Sequence, residues 1–396
     1  MIVQPDPRMT AVDVARATRS AKRGALVRWL LSYGTFSVPQ AAGPIAFALL
    51  AMPLTGNPGS GATIVLALTI AQVVGAVPIA RLGRNRNAVS FLKALVGIRT
   101  LALAAIAMLA AAGAPFSLLI IAAALGGLVN GAAFGYLRSV LNYLVEPSRM
   151  PRALGIAATL SEFTFVAAPV AASALGTINP AFALLMLTIL GAAPAILLPG
   201  VPHAKAPAPV DGAGSLRTPA IFLWLACTMA NSALVSSIEI GAVSLAVKYG
   251  FPPAMGVIFT VALCVASVTG GGWVSVRNRI PRRSTVFVYL VLMSTGAALI
   301  ASNLSVVVTI VGAIIVGGFL APLGTYYSLT LDAQSPPHRK AELFALARTA
   351  NSIGIILTSA CLTLSSLAVT QALATTLIFA ATVTVGLASF AGRSSR

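Results

Sequence analysis

Residues 201–218 read VPHAKAPAPVDGAGSLRT, a polar stretch rich in Pro, Ala and Gly that interrupts an otherwise apolar chain. Six long apolar runs precede it, at 26–52, 62–80, 88–112, 116–137, 153–176 and 181–200. Six more follow, at 219–247, 255–276, 284–302, 305–329, 341–365 and 370–391. Runs of about twenty residues are long enough to cross a hydrocarbon core of about 30 Å. The 396 residues are 58% hydrophobic and only 9% charged, whereas soluble domains carry about 25% charged residues. So little charge cannot clothe a water-facing surface of this size. In lipid the backbone must satisfy its own hydrogen bonds, which leaves helices or closed barrels. Barrel strands alternate apolar with polar residues, and these runs are apolar almost all round. The expected fold is an all-α integral membrane protein of about twelve transmembrane helices in two pseudo-symmetric six-helix bundles, 26–200 and 219–391. The 201–218 linker joins them, a basic segment 1–25 precedes them and a short tail 392–396 follows.

The net charge of +18 falls in short clusters between the runs, not in one stripe with interleaved aromatics, which argues against nucleic acid. Arg8, Arg16, Arg19, Lys22, Arg23 and Arg28 stand before or at the start of the first run. Arg81, Arg84 and Arg86 follow the second, and Arg138, Arg149 and Arg152 the fourth. Lys205 and Arg217 lie in the linker; Arg277, Arg279, Arg282 and Arg283 follow the eighth run. Arg339 and Lys340 follow the tenth, and Arg393 and Arg396 close the chain. Every second connection is basic, and the opposite ones carry only Lys248. The positive-inside rule therefore predicts cytoplasmic termini and a cytoplasmic linker. The first run is long and Pro-rich with no cleavage site after it, so it reads as an uncleaved helix and not a signal peptide.

Several chemistries find no support. Cys227, Cys264 and Cys361 are widely spaced inside predicted helices and have no metal-ligand spacing. His203 and His338 fall in polar connections, and there is no H-E-x-x-H motif or P-loop. No catalytic residue, metal or cofactor is expected. The expected partners are a small-molecule substrate, protons and the lipid bilayer.

The halves look like a repeat. Gly135-Tyr-Leu-Arg-Ser-Val-Leu, with Pro147 and Ala153 beyond it, can be laid on Gly324-Thr-Tyr-Tyr-Ser-Leu-Thr, Pro336 and Glu342, as expected for old internal repeats in transporters. After the second run the chain reads Val77-Pro-Ile-Ala-Arg-Leu-Gly-Arg-Asn-Arg86. With the six-plus-six layout and the basic loops after runs two and eight, it resembles the major facilitator superfamily, whose signature there is roughly G-x-L-A-D-R-x-G-R-R. Arg81, Gly83, Arg84 and Arg86 fit; Ala80 stands where the signature has Asp, so the usual acidic partner of the cytoplasmic gate is missing. Gly270-Gly-Gly-Trp-Val-Ser-Val-Arg277 is a degenerate second copy, and Ala168-Pro169-Val-Ala-Ala resembles the Gly-Pro motif of the superfamily's exporters. Glu239, Ala321-Pro322 and Glu342-Leu-Phe resemble a group of bacterial facilitators. The resemblance implies an inner-membrane transporter that works by alternating access, with runs one, four, seven and ten lining a central cavity.

Charged residues inside a membrane are rare and costly. At about 1.5 Å per helical residue, Glu162 and Arg99 fall near mid-depth, Arg348 in the cytoplasmic half and Glu239 toward the outer side. A carboxylate in low dielectric is suited to loading and releasing a proton, which makes Glu162 the sharpest coupling candidate; a static Glu–Arg pair locking two helices is the alternative. Glu239 fits a coupling role or a wet outer vestibule. Arg99 and Arg348 fit an anionic substrate or a counter-charge for the glutamates. Gln40, Asn130 and Asn231 are the substrate-cavity candidates, with interhelical hydrogen bonds as the alternative. Arg81, Gly83, Arg84, Tyr136, Arg138, Tyr326 and Tyr327 are the gate candidates; an interfacial anchor is the other reading of Arg138. Pro39 and Pro44 in the first run and Gly270–Gly272 in the eighth are expected bending points, and Gly127, Gly131 and Gly135 an expected packing stripe. The expected function is secondary transport, as proton-coupled export by a monomer. The alternatives are uptake of a small metabolite, or a non-transporting receptor or scaffold.

Overall fold

The computed structural model describes residues 11–55, 60–201, 216, 218–251, 253–279 and 281–394. Residues 1–10 of the expected basic segment, most of the 201–218 linker and the last two residues of the tail lie outside the described residues. The first half comprises α1 (Ala11–Thr55), α2 (Ser60–Leu82), α3 (Ala88–Ala111), α4 (Phe116–Leu144), α5 (Met150–Ile178) and α6 (Pro180–Leu197). The second comprises α7 (Pro219–Lys248), α8 (Val257–Arg277), α9 (Arg283–Ser302), α10 (Val306–Gln334), α11 (Lys340–Leu364) and α12 (Leu367–Ser394). Twelve helices among the described residues are long and apolar enough to cross a membrane.

Local chemistry sets the helix starts. Asn87, Asn179, Thr218 and Ser305 each place a side-chain oxygen on an amide of the first turn of α3, α6, α7 and α10, which satisfies donors that the helix itself leaves free. Prolines occupy the first turn of α5, α6 and α7, where a missing N–H costs nothing. Several helices outrun their apolar stretches, α1 at its start (Ala11) and α4 and α10 at their ends. The expected runs stop at 137 and 329, but α4 continues to Leu144 and α10 to Gln334. Their 29 residues span about 43 Å at helical rise, so both project beyond the hydrocarbon.

The internal repeat is visible in these two helices. After each comes a single 3-10 turn, Pro147–Arg149 or Pro337–Arg339, and then α5 or α11. Start, turn and following helix are all displaced by 190 residues, the same separation as the bonded pairs Arg138–Ser328 and Asn142–Asp332. The alignment expected from the sequence is therefore one residue out of register: Tyr136 corresponds to Tyr326, and Pro147 to Pro337. Packing repeats as well. Gly127 of α4 lies against the Leu68 carbonyl of α2, and Gly317 of α10 against the Leu263 carbonyl of α8.

Helix α8 is continuous through the expected bending point at Gly270–Gly272. Gly270 lies against the Gly318 carbonyl of α10, while Gly271 faces Gly155 and Thr159 of α5. The lack of side chains at Gly270 and Gly271 allows close approach to two neighbours. Pro39 and Pro44 likewise lie within a continuous α1.

Candidate functional site

The end of the bundle bearing the basic connections, called here the basic end, is where the halves close on each other. Glu342 opens α11 and is almost fully buried, with 3% side-chain exposure. Its Oε1 accepts from Arg81 Nε at 2.9 Å, in the last turn of α2, and its Oε2 from Arg84 Nη2 at 2.8 Å, in the turn that follows α2. Arg339, on the turn before α11, donates to both oxygens, at 2.9 and 3.0 Å. The acidic partner expected at position 80 is thus supplied by the opposite half. On the other side of the same end, Asn278 terminates α8 in the left-handed region (φ 44°), a conformation Asn tolerates better than most residues. Its side chain accepts from Arg152 N at 3.0 Å and donates to the Ser148 carbonyl at 2.8 Å, tying α8 to the start of α5. Between these ties, Arg138 Nε donates to Ser328 at 2.8 Å and Asn142 Nδ2 to Asp332 at 2.6 Å. Lys340 pairs with the other Asp332 oxygen at 2.8 Å. Gly135 lies directly on the Ala341 carbonyl.

Above this closure lies a cavity of about 350 Å³ between the halves. Its walls come from α1, α4, α7 and α10, as the resemblance implies, and also from α5, α8 and α11. Glu162 of α5 lines it, with its carboxylate in hydrogen-bonding reach of Ser267 and Cys264 of α8. Glu239 of α7 lines it farther from the basic end and is accessible to solvent there. Gln40 and Asn231 line it too, and the Asn231 Oδ1 is buried without a partner. Arg348 of α11 lies over the Phe134 ring at 4.9 Å, and its Nε is also without a partner. Among the described residues, no arginine or lysine comes within 4.0 Å of either glutamate.

Arg138 departs from the expected interfacial anchor. It is buried in the cavity floor, with its guanidinium over Phe344 at 4.4 Å, Nη1 donating to Asn142 at 3.1 Å and Nη2 unpartnered. Helix α4 carries it inward because the helix continues past the hydrocarbon and meets α10. Tyr327 also lines the cavity, with a buried, unpartnered hydroxyl. Tyr326 instead packs edge-on against Trp224 inside the second half, and Tyr136 donates to the Ala80 carbonyl at 2.8 Å inside the first. Gly83 sits under Phe91 and Tyr136.

Arg99 and Asn130 belong to a separate network outside the central cavity. Arg99 is 4% exposed and stacks on Phe36 at 4.0 Å. It donates to the carbonyls of Phe36 (3.2 Å) and Gly191 (2.7 Å) and to Asn130 Oδ1 (2.9 Å). Asn130 in turn donates to Gln72, and Gln72 Nε2 reaches Ser352 of α11 at 2.7 Å. Arg99 therefore balances neither glutamate. Backbone carbonyls and an amide solvate its charge.

Comparison with known proteins places the chain in a class. The family model described as "Major Facilitator Superfamily" matches residues 29–359. The chain belongs to that superfamily. None of the curated proteins matches it by sequence. Its fold is similar to that of a bacterial homologue of the iron transporter ferroportin in an outward-facing state (TM-score 0.76, 17% identity, covering 95% of this chain and 99% of that one). It is also similar to the human organic anion transporter MFSD10 (TETRAN) (TM-score 0.71, 14% identity, 93% and 99% covered). A third similar structure is a variant of the E. coli fucose:proton symporter FucP (TM-score 0.72, 11% identity, 91% and 98% covered). These likenesses concern the fold alone.

Proposed function

We propose that the protein is a secondary transporter that moves a small molecule across a bacterial inner membrane by alternating access, coupled to protons and in the direction of export. One observation carries this reading. A cavity with polar and charged residues in its lining lies between two halves that are tied together at one end, and among the described residues its two glutamates have no basic partner. Residues 26–200 and 219–391 act as the two rocking units and 201–218 as their connection. By the positive-inside rule the basic end is cytoplasmic, which makes the described conformation the outward-facing one and Glu342 the cytoplasmic latch. Glu162 is the proton carrier: it sits near mid-depth, faces the second half through Ser267, and has no arginine to hold it permanently ionised. The cavity is complete within one chain, which supports a monomer.

Export rests on the likeness of Ala168-Pro169 to the exporter motif. Uptake is the second reading, favoured by the fold's similarity to a fucose:proton symporter. Expression in an efflux-deficient bacterium separates them. The readout is cellular accumulation of a mixed panel of drugs and labelled metabolites, with and without a protonophore and alongside Glu162→Gln. Reduced accumulation that returns to control levels with the protonophore and in the variant is expected. Raised accumulation would establish uptake. Gradient-driven transport at the normal rate by Glu162→Gln would remove Glu162 from coupling.

A further inference from the structure

The charges of the central cavity are separated into two poles that do not neutralise each other. At the floor stand Arg138 and Arg348, each with a guanidinium face covered by a phenylalanine ring, at 4.4 Å and 4.9 Å. For Arg348 this leaves the N–H edge as the open side of the group, the part that matches a planar oxyanion; Arg138 spends Nε on Ser328 and Nη1 on Asn142 and keeps only Nη2 free. Both arginines keep a buried nitrogen without a partner. Neither has a carboxylate within ion-pairing distance among the described residues. Against α8 and toward the open end stand Glu162 and Glu239, likewise without a basic partner. Between the poles, Tyr327 and Asn231 present further buried, unpartnered oxygens to the same space.

Unpaired charges held in a membrane cost several kcal/mol each unless something meets them. Solvent reaches Glu239, and Ser267 and Cys264 are in reach of Glu162, so what both glutamates lack is a counter-charge, as Arg348 does. A cation would leave the arginines unmet, and an anion would leave the glutamates unmet. An uncharged molecule would leave both. The two halves contribute asymmetrically. Glu162 lies on α5 and Arg348 on its repeat counterpart α11, each lining the cavity from its own side. The volume of about 350 Å³ is at the small end for ligand pockets.

We propose that the central cavity is built for a small zwitterion, a molecule carrying an oxyanion and a protonated amine on one skeleton. Arg348 and Arg138 receive the oxyanion, and Glu162 and Glu239 receive the amine. This names the substrate class of the transport site proposed above and rests on that reading only for what happens after binding. The oxyanion is a carboxylate, phosphonate or sulfonate, which share the geometry that a guanidinium edge recognises.

The test uses the full chain in lipid nanodiscs and matched trios on three skeletons: leucine, phenylalanine and tyrosine. Each trio comprises the free amino acid, its methyl ester (cation only) and its N-acetyl derivative (anion only). Binding is read as the ligand-induced shift in melting temperature over a concentration series. In at least one trio the zwitterion should bind at least about tenfold more tightly than either partner, the loss expected when one charge-assisted contact is missing. Arg348→Gln should erase the advantage over the ester, and Glu239→Gln the advantage over the N-acetyl acid. Arg348→Lys, which keeps the charge but not the planar edge, should retain only part of the advantage over the ester, and the unliganded melting temperature of each variant reports its folding. An ester or N-acetyl acid that binds as tightly as its zwitterion would overturn the proposal. So would zwitterion binding that survives both Gln variants, or no binding by any member of any trio. Flux of the same compounds in proteoliposomes is measured separately. Binding without flux would sink the transport reading and keep the two-pole site; flux of singly charged compounds alone would do the reverse.

Discussion

Glu342 gathers Arg81, Arg84 and Arg339 around one buried carboxylate. Glu342→Gln keeps the volume and leaves three cations facing each other. The closure at the basic end should weaken by about 3 kcal/mol, the low end for removing one partner of a buried pair, because Arg81 is 55% exposed. A cysteine placed at Ser328, in the cavity lining beside Arg138, should then react faster with an impermeant maleimide applied from the basic end; an unchanged rate would show that the latch carries no weight. Arg99 makes the opposite case. Its contacts are fixed and its neighbours uncharged, so Arg99→Lys loses the forked donor and the stacking on Phe36. A loss of about 2 kcal/mol is expected, seen as a lower melting temperature. Arg348→Lys should change stability less, since Arg99 has three hydrogen bonds to lose and Arg348 shows none among the described residues. Neither role could be read along the chain. Glu342 lies 261 residues from Arg81, and the partners of Arg99 are mostly backbone carbonyls, which leave no mark in a sequence. What the residues did declare was that charge at mid-depth needs a reason.

Among elements, the helices were legible wherever lipid dictates composition. They were illegible where it stops doing so. The apolar runs end near 137 and 329 because polar residues begin there, yet α4 and α10 carry on, since those polar residues meet each other across the halves instead of water. Small residues set how near the helices come. Gly135 of α4 rests on the Ala341 carbonyl at the start of α11, where an added methyl would overlap a backbone atom that cannot swing aside. Gly135→Ala should therefore disfavour this closed end by about 1–3 kcal/mol. The same maleimide assay at position 328 reads it, and labelling equal to the parent's would show that α11 shifts at no cost. Gly270 and Gly271 teach the same lesson from the other side, since each lies against the backbone of a neighbouring helix.

For the molecule as a whole, the six-plus-six order was legible because every second connection is basic, a pattern that one missed helix would have scrambled. The repeat register was off by one because only a few residues of α4 and α10 still resemble each other. Arg138 bonds to Ser328, its own counterpart in the second half, and Asn142 bonds to Asp332 in the same way. Exchanging the first pair tests this geometry. Arg138→Ser should remove the bond and Ser328→Arg should crowd two guanidinium groups. The double exchange should recover about 1–3 kcal/mol of the combined loss, because the moved cation would stand one helical turn from Asp332. Additive losses in melting temperature would show that the two positions do not share a contact.

A residue that touches its own counterpart sits on the axis relating the two halves. In an ancestor made of two identical chains, each such residue would have faced a copy of itself. Two arginines there would have repelled each other, and two aspartates likewise, so neither charge was open to a symmetric dimer. Only once the two copies differ in sequence does that restriction lift, so the pairings of Arg138 with serine and Asp332 with asparagine are contacts open to unlike halves and closed to identical ones.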